Sequence, residues 1–138
     1  MAPEVLVRKL AYLRQLLVDM EFYQDATLAE VREQHYALER IFELLVMTAS
    51  DILFHLLGER NIHPASYRES FALAADEGLL PPDLADRLSD AAGMRNIIVH
   101  MYETLDYALL HDSIRPALED FSAFVAACAS LAEEPEQD

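Results

Sequence analysis

The chain has 138 residues, 53% of them hydrophobic, and a formal net charge of −15 at pH 7. This length allows one domain with one core and excludes a second core. The acidic charge excludes a broad basic surface that grips duplex nucleic acid through many phosphates, so any nucleic acid must be bound locally.

The composition predicts an all-helical protein. The chain has only three glycines, and abundant Leu, Ala and Glu favour helices over sheets. No window reaches eighteen uninterrupted apolar residues, and charges interrupt the apolar positions of the N-terminal segment, which indicates a cytoplasmic protein without a membrane span. We expect a single domain over residues 1–132 and a disordered acidic tail over residues 133–138.

Three helices are predicted in the first half of the chain. Apolar residues at three- and four-residue steps predict a first helix over residues 4–23. Thr27 and Glu30 form a capping-box pattern that begins a second, longest helix ending at Gly58. The same pattern at Ser66 begins a short third helix that Gly78 closes.

Two further helices complete the prediction. Asp83 follows a pair of prolines and can cap a fourth helix, which carries Arg95 and His100 near its C-terminal half. The last helix spans roughly residues 105–132, and Pro116 inside it should kink or split it. The chain therefore predicts an antiparallel bundle of about five helices with a kinked last helix.

The fourth helix carries a polar motif in an otherwise apolar segment: Arg95, Asn96, His100 and Tyr102. Cleaving RNA without a metal requires activation of the 2′-hydroxyl, stabilisation of charge on the phosphorus oxygens and protonation of the 5′-oxygen. Histidine suits the proton transfers because its ordinary pKa lies near working pH. A guanidinium suits the charge because it stays protonated and offers a planar fork to phosphate oxygens.

Helix geometry limits how the motif can act. At about 100° per residue, Arg95 lies roughly 140° around the helix from His100. One straight helix therefore cannot direct all four side chains at one phosphate. We expect either that the helix loosens after His100 or that a symmetric homodimer pools the groups of two copies.

Asp51 is a second candidate. It lies four residues before His55 on the long helix, a spacing that can present both side chains to one ion, but two ligands are too few for a metal site. We expect Asp51 to be a buried polar residue that orients the motif helix or His100; a plain pair with His55 is given equal weight. No metal or cofactor site is predicted, and the lone Cys128 is interpreted as a small core residue.

The chain resembles the HepT-like toxins, ribonucleases of the HEPN fold, over roughly residues 35–125. The resemblance rests on the long helix around residues 38–40 and 49–52, the segments 63–71 and 77–80, and the run 94–100 with Tyr102 and Asp106 behind it. It implies a HEPN-type homodimer that cleaves RNA and is paired with a minimal nucleotidyltransferase antitoxin.

The resemblance also implies roles for the motif residues. Arg95 and His100 correspond to the ribonuclease residues, and Asn96 to a polar residue that supports them. Tyr102 corresponds to the tyrosine that the antitoxin adenylylates, which would place bulk and negative charge where substrate phosphate binds.

One residue departs from the family's pattern. Met101 stands where such proteins commonly have a polar or charged residue. This departure and the acidic charge favour an alternative, a non-catalytic HEPN-type module that docks a nucleotidyltransferase or a nucleotide. A purely structural helical adaptor ranks last, because it leaves four phosphate-competent groups in an apolar helix without a purpose.

Overall fold

The computed structural model describes residues 2–100 and 106–133, with side chains described except at 99, 100, 132 and 133. Within these ranges the chain forms six helices and no strand, which confirms the all-α class. The helices are α1 (Pro3–Glu21), α2 (Leu28–Glu33), α3 (His35–Gly58), α4 (Tyr67–Asp76), α5 (Pro82–His100) and α6 (Tyr107–Glu133). The predicted acidic tail beyond residue 133 lies outside the described residues.

Helix α3 is the centre of the bundle and contacts all five other helices. By length and composition it is also the one described helix that could cross a bilayer. Its apolar character has another explanation, because fully buried side chains on α3 face its neighbours from several directions. Among these are Leu38, Leu45, Val46, Ile52 and Leu53.

Two of the predicted helix starts, at Thr27 and Ser66, are confirmed by their hydrogen bonds. The predicted cap of the fourth helix is wrong, because α5 already begins at Pro82 and Asp83 lies inside its first turn. At the start of α2 the Thr27 hydroxyl accepts from the Glu30 N–H at 3.2 Å, and the Glu30 carboxylate accepts from the Thr27 N–H at 3.0 Å. The backbone N–H of Thr27 is the main reason why the pKa of Glu30 is lowered. At the start of α4 the Ser66 hydroxyl accepts from the Glu69 N–H at 3.0 Å. These bonds satisfy N–H groups that have no partner inside a helix.

The long second helix was predicted as one piece and is in fact two. The backbone leaves helical geometry at Gln34, with φ −107° and ψ 16°, and this residue both ends α2 and begins α3. Val31 and Leu38, which flank the break, are both fully buried. Val31 and Leu38 are seven residues apart, which is close to two helical turns, so the apolar pattern is the one that an unbroken helix would have. The pattern therefore cannot reveal the break at Gln34.

Helix α6 continues through Pro116, so the predicted split is wrong, while the kink stays a prediction. The first half of α6 is tied to the turn between α1 and α2. Arg115 Nη2 lies 2.5 Å from Asp25 Oδ1, and His111 Nε2 donates to the Ala26 carbonyl at 2.8 Å. These bonds hold the part of α6 that follows the polar motif.

Helix α5 presents the motif at one end of the bundle. It packs against α4 most extensively and also contacts α3 and α6. Met94 and Ile98 are buried, whereas Asn96 and Ile97 are exposed. The last two turns of α5 therefore place one side in the core and the other at the surface, with Arg95 at the boundary.

Candidate active site

Arg95 is held between α3 and α4. Its side chain is only 16% exposed, and its guanidinium lies over the Tyr67 ring at 5.0 Å from the centroid. Nη1 donates to Asn96 Oδ1 at 3.2 Å, and Nη2 is 3.8 Å from Glu43 Oε1. The stack and the two polar neighbours fix the plane of the guanidinium.

The hydrogen-bonding capacity of Arg95 is not exhausted by these contacts. The distance to Glu43 is too long for a hydrogen bond, and Glu43 is closer to Arg40, at 3.3 Å. The Arg95 Nε is buried and has no hydrogen-bond partner among the described residues. A positioned guanidinium with donors to spare is suited to binding an anion that is not part of the resting protein.

Asn96 is exposed and lies beside a shallow cavity of about 410 Å³. Phe54, Tyr67 and Arg68 contribute to the same cavity. The amide of Asn96 thus accepts from Arg95 on one side and faces open space on the other. Among the predicted site residues, Arg95 and Asn96 are the pair that the structure brings into contact.

The two remaining motif residues fall at the edge of what the structure describes. His100 is the last residue of α5, and its side chain lies outside the described residues. Tyr102, like Met101, lies outside them altogether. The helix is regular from Arg95 to His100, so the angular separation predicted from the sequence applies to the backbone.

Among the described side chains, the partners of Asp51 lie outside the motif. It is 43% exposed rather than buried, it forms an ion pair with Lys9 of α1, and its Oδ1 is 3.7 Å from His55 Nε2. The pair with His55 is therefore present. The orienting role towards His100 stays a prediction.

The described residues contain no group of three or more His, Cys, Asp or Glu side chains placed to hold a metal ion. Cys128 is fully buried on α6, and burial raises the pKa of its thiol to about 12. The interpretation of Cys128 as a core residue is confirmed.

Sequence reasoning missed the two residues that position Arg95. Glu43 and Tyr67 lie on α3 and α4, far from Arg95 along the chain. Glu43 has no local signal, because it looks like any exposed acidic residue of an amphipathic helix. Tyr67 follows the capping Ser66 directly, but only the packing of α4 on α5 shows that its ring meets a cation.

Comparison with known proteins gives a consistent result. The family model described as "Ribonuclease HepT-like" matches residues 3–128. The protein described as mRNA nuclease HepT from Shewanella oneidensis is 28% identical over 131 residues, which cover 88% of this chain and 94% of that protein. The tRNA nuclease HepT from Aphanizomenon flos-aquae is 26% identical over 128 residues, covering 89% and 86% of the two chains.

A solved structure shares the fold. It is the tri-AMPylated Shewanella oneidensis HEPN toxin in complex with an MNT antitoxin, with a TM-score of 0.82 and 24% identity. The match covers 91% of this chain and 97% of that one. The agreement therefore extends over the whole helical bundle.

Proposed function

This chain belongs to the HepT-like ribonuclease family, and we propose that it is the toxin of a toxin–antitoxin pair, an endoribonuclease that a nucleotidyltransferase antitoxin keeps inactive. The relatives described as mRNA and tRNA nucleases support RNA as the substrate. The fold shared with a toxin solved in complex with its antitoxin supports the partner. This role requires the cytoplasm as its compartment.

One observation carries the catalytic part of the proposal: the guanidinium of Arg95 is fixed over Tyr67, and the one carboxylate within 4.0 Å of it among the described residues is too distant for a hydrogen bond. A side chain that only stabilised the fold would have its charge paired closely, because an unpaired buried cation is costly. Arg95 instead has a carboxylate at 3.8 Å and an amide at 3.2 Å. The phosphate of an RNA substrate would supply the missing counter-charge.

The proposed reaction is a transesterification at one phosphodiester. The ribose 2′-oxygen gives up its proton and bonds to phosphorus, while the bond from phosphorus to the 5′-oxygen breaks and that oxygen takes up a proton. His100 acts as general base or acid, and Arg95 stabilises the charge on the phosphorus oxygens. Asn96 positions Arg95. The products carry a 2′,3′-cyclic phosphate and a 5′-hydroxyl.

We infer that a homodimer assembles the site. Arg95 and His100 leave the same helix about 140° apart, so one straight helix does not direct all four motif side chains at a single phosphate. A two-fold dimer through the motif face places two copies of α5 opposite each other, so that Arg95 of one copy can face His100 of its partner. Asp51 would then act only indirectly, through the packing of α1 and α3.

The first test is RNA cleavage with a metal chelator present. We expect His100→Ala to lower the cleavage rate by about 100-fold or more, because a positioned general acid or base contributes at least that much. His63→Ala is the matched control, since His63 is exposed in the loop between α3 and α4. Equal cleavage by the native chain and His100→Ala would remove His100 from the mechanism.

The second test concerns silencing by the antitoxin, which we propose to act at Tyr102. When the chain is co-expressed with its nucleotidyltransferase, we expect a ladder of added AMP units in its mass spectrum and loss of RNA cleavage, because each AMP adds negative charge where substrate phosphate binds. Tyr102→Phe should abolish the ladder. AMP units on other tyrosines with Tyr102 unmodified would contradict the assignment.

The alternative is a non-catalytic module that docks the nucleotidyltransferase or holds a nucleotide. It is favoured by the net charge of −15 and by Met101 in the motif. This alternative predicts a stable complex with the nucleotidyltransferase and no RNA cleavage by the unmodified chain. The four intact motif residues favour the nuclease.

A further inference from the structure

Two adjoining cavities form one groove across α1, α3 and α4, ending at the motif. The larger, of about 610 Å³, lies between α1 and α3 and contains Arg8, Lys9 and Tyr12. The smaller is the cavity beside Asn96. Phe54 and Tyr67 line both, so the two cavities adjoin at these side chains. We call this surface the α1–α4 groove and define it by Arg8, Lys9, Tyr12, Phe54, Tyr67 and Arg68.

The α1–α4 groove concentrates positive charge in an acidic protein. The chain has only ten Lys and Arg residues against 25 Asp and Glu. Three of these cations line the groove, and Arg95 lies over the Tyr67 ring. Among the described lining residues Asp51 is the only carboxylate, and it is paired with Lys9. Arg68 lies 3.6 Å from Asp90, a residue outside the groove lining, and both side chains are exposed.

A cavity elsewhere on the bundle shows that this charge is particular to the groove. The cavity between α5 and α6, of about 370 Å³, has Asp90, Asp112 and Asp120 around the single cation Arg87. Arg87 is in turn bound to Asp120 at 2.8 Å. A polyanion is therefore repelled there and attracted to the α1–α4 groove.

Aromatic rings interleave with the cations. The rings of Phe54 and Tyr67 are 6.1 Å apart with an interplanar angle of 36°, and Tyr12 is 45% exposed at the α1 side. Exposed ring faces bind unpaired bases by stacking, and neighbouring cations bind the phosphates between them. This combination fits a single strand better than a duplex, whose bases are hidden from a shallow groove.

We propose that the α1–α4 groove binds the single-stranded RNA that flanks the scissile phosphate. A base stacks on Tyr12, Arg8 and Arg68 each pair with a phosphate, and the strand passes over Tyr67 to reach Arg95. This inference rests on the proposed function, because it takes Arg95 and Asn96 as the end of the track. It adds a binding site that the motif alone does not contain.

The test measures the affinity of full-length chains for a fluorescent, unstructured RNA strand of mixed sequence, at several salt concentrations. All chains also carry His100→Ala, so that binding is measured without cleavage. We expect Tyr12→Leu to weaken binding about five-fold or more, since stacking of one base is lost. Arg8→Ala with Arg68→Ala should lower the slope of log affinity against log salt by about 1.4, because each single-strand phosphate contact contributes about 0.7.

Matched controls remove the same groups outside the groove. Arg14→Ala removes an exposed cation from another face of α1, and Tyr36→Leu removes a tyrosine of α3 that is 80% exposed. Both controls should bind RNA like the His100→Ala chain. Groove variants that bind no more weakly than these controls would overturn the proposal.

Two further measurements separate this inference from the proposed function. Cleavage is measured on chains that retain His100. If such a chain cleaves RNA while the groove variants bind RNA as tightly as the controls, the proposed function stands and the groove proposal is rejected. If the groove variants bind RNA more weakly but the chain with His100 does not cleave RNA, the groove proposal stands and the proposed nuclease activity is rejected. Groove variants that lose homodimer or antitoxin binding instead of RNA binding would show a protein interface, and overturn the proposal.

Discussion

At the scale of single residues, the environment of Arg95 positions its guanidinium without pairing its charge closely. The Tyr67 ring covers one face of the guanidinium and buries it without cancelling its charge. Glu43 is near enough to orient the cation but is shared with Arg40. A charge that is oriented and incompletely paired interacts more strongly with an incoming phosphate than a mobile surface arginine does.

Cys128 gives a prediction at the same scale. Because burial raises its pKa to about 12, the thiol stays protonated from pH 7 to pH 9, and only the thiolate is a good nucleophile. We expect the folded chain to react very slowly with an alkylating reagent across this pH range, and to react rapidly once urea unfolds it. Rapid labelling of the native chain at pH 8, followed by mass spectrometry, would contradict the burial of Cys128.

Which residues carry the chemistry stays a prediction from the sequence, and how Arg95 is held could not be predicted from it. Arg95 and Asn96 stand out by residue type, their expected roles come from the family resemblance, and the structure places the two side chains in contact. The stack on Tyr67 could not be predicted, since it depends on α4 packing against α5. Asp51 was expected to be buried because it lies on the core helix, yet its position faces Lys9 and the groove.

At the scale of helices, capping chemistry marks the starts of helices better than apolar spacing marks their continuity. Thr27 and Ser66 begin helices as predicted. Gly78, with φ 74°, ends α4 as predicted. Helix α3 ends at Gly58 as expected, but the residue with positive φ there is Asn61, at 60°. The Ile62 N–H bonds to the Leu57 carbonyl across this turn, as in a Schellman motif.

Gly58 and Gly78 therefore respond oppositely to the same substitution. Gly78→Ala should destabilise the fold by about 1 kcal/mol, because alanine is strained at positive φ. Gly58→Ala should stabilise it by about 0.5–1 kcal/mol, because a Cβ there has nothing within 4 Å and alanine favours a helix. Urea unfolding measures both changes. Shifts of the same sign would show that one of these backbone conformations is wrong.

At the scale of the whole molecule, an acidic exterior surrounds a local groove lined by basic side chains. The helical class and the polar motif could be predicted from residue types and spacing, and the family from the resemblance over residues 35–125. The shape of the groove could not, because its lining residues come from three helices and have no common spacing. The proposed pairing of two copies likewise depends on their surfaces rather than on a sequence pattern.

The proposed active site shared between two copies gives a prediction at this scale. Arg95→Ala and His100→Ala chains should each be inactive alone. If Arg95 of one copy acts with His100 of its partner, a mixed dimer regains one intact site of two, and equal mixing with subunit exchange should restore about a quarter of native cleavage. Native Arg95 and His100 acting within one copy would leave the mixture inactive, so the cleavage rate after mixing decides between the arrangements.

The packing of α1 against α6 links the first helix of the bundle to the last. Arg115 and His111 reinforce this link by bonding to the α1–α2 turn across most of the chain. During translation, the earlier helices emerge from the ribosome without the surface that completes their core. The core of the bundle is therefore complete only after α6, its last helix, has been synthesised.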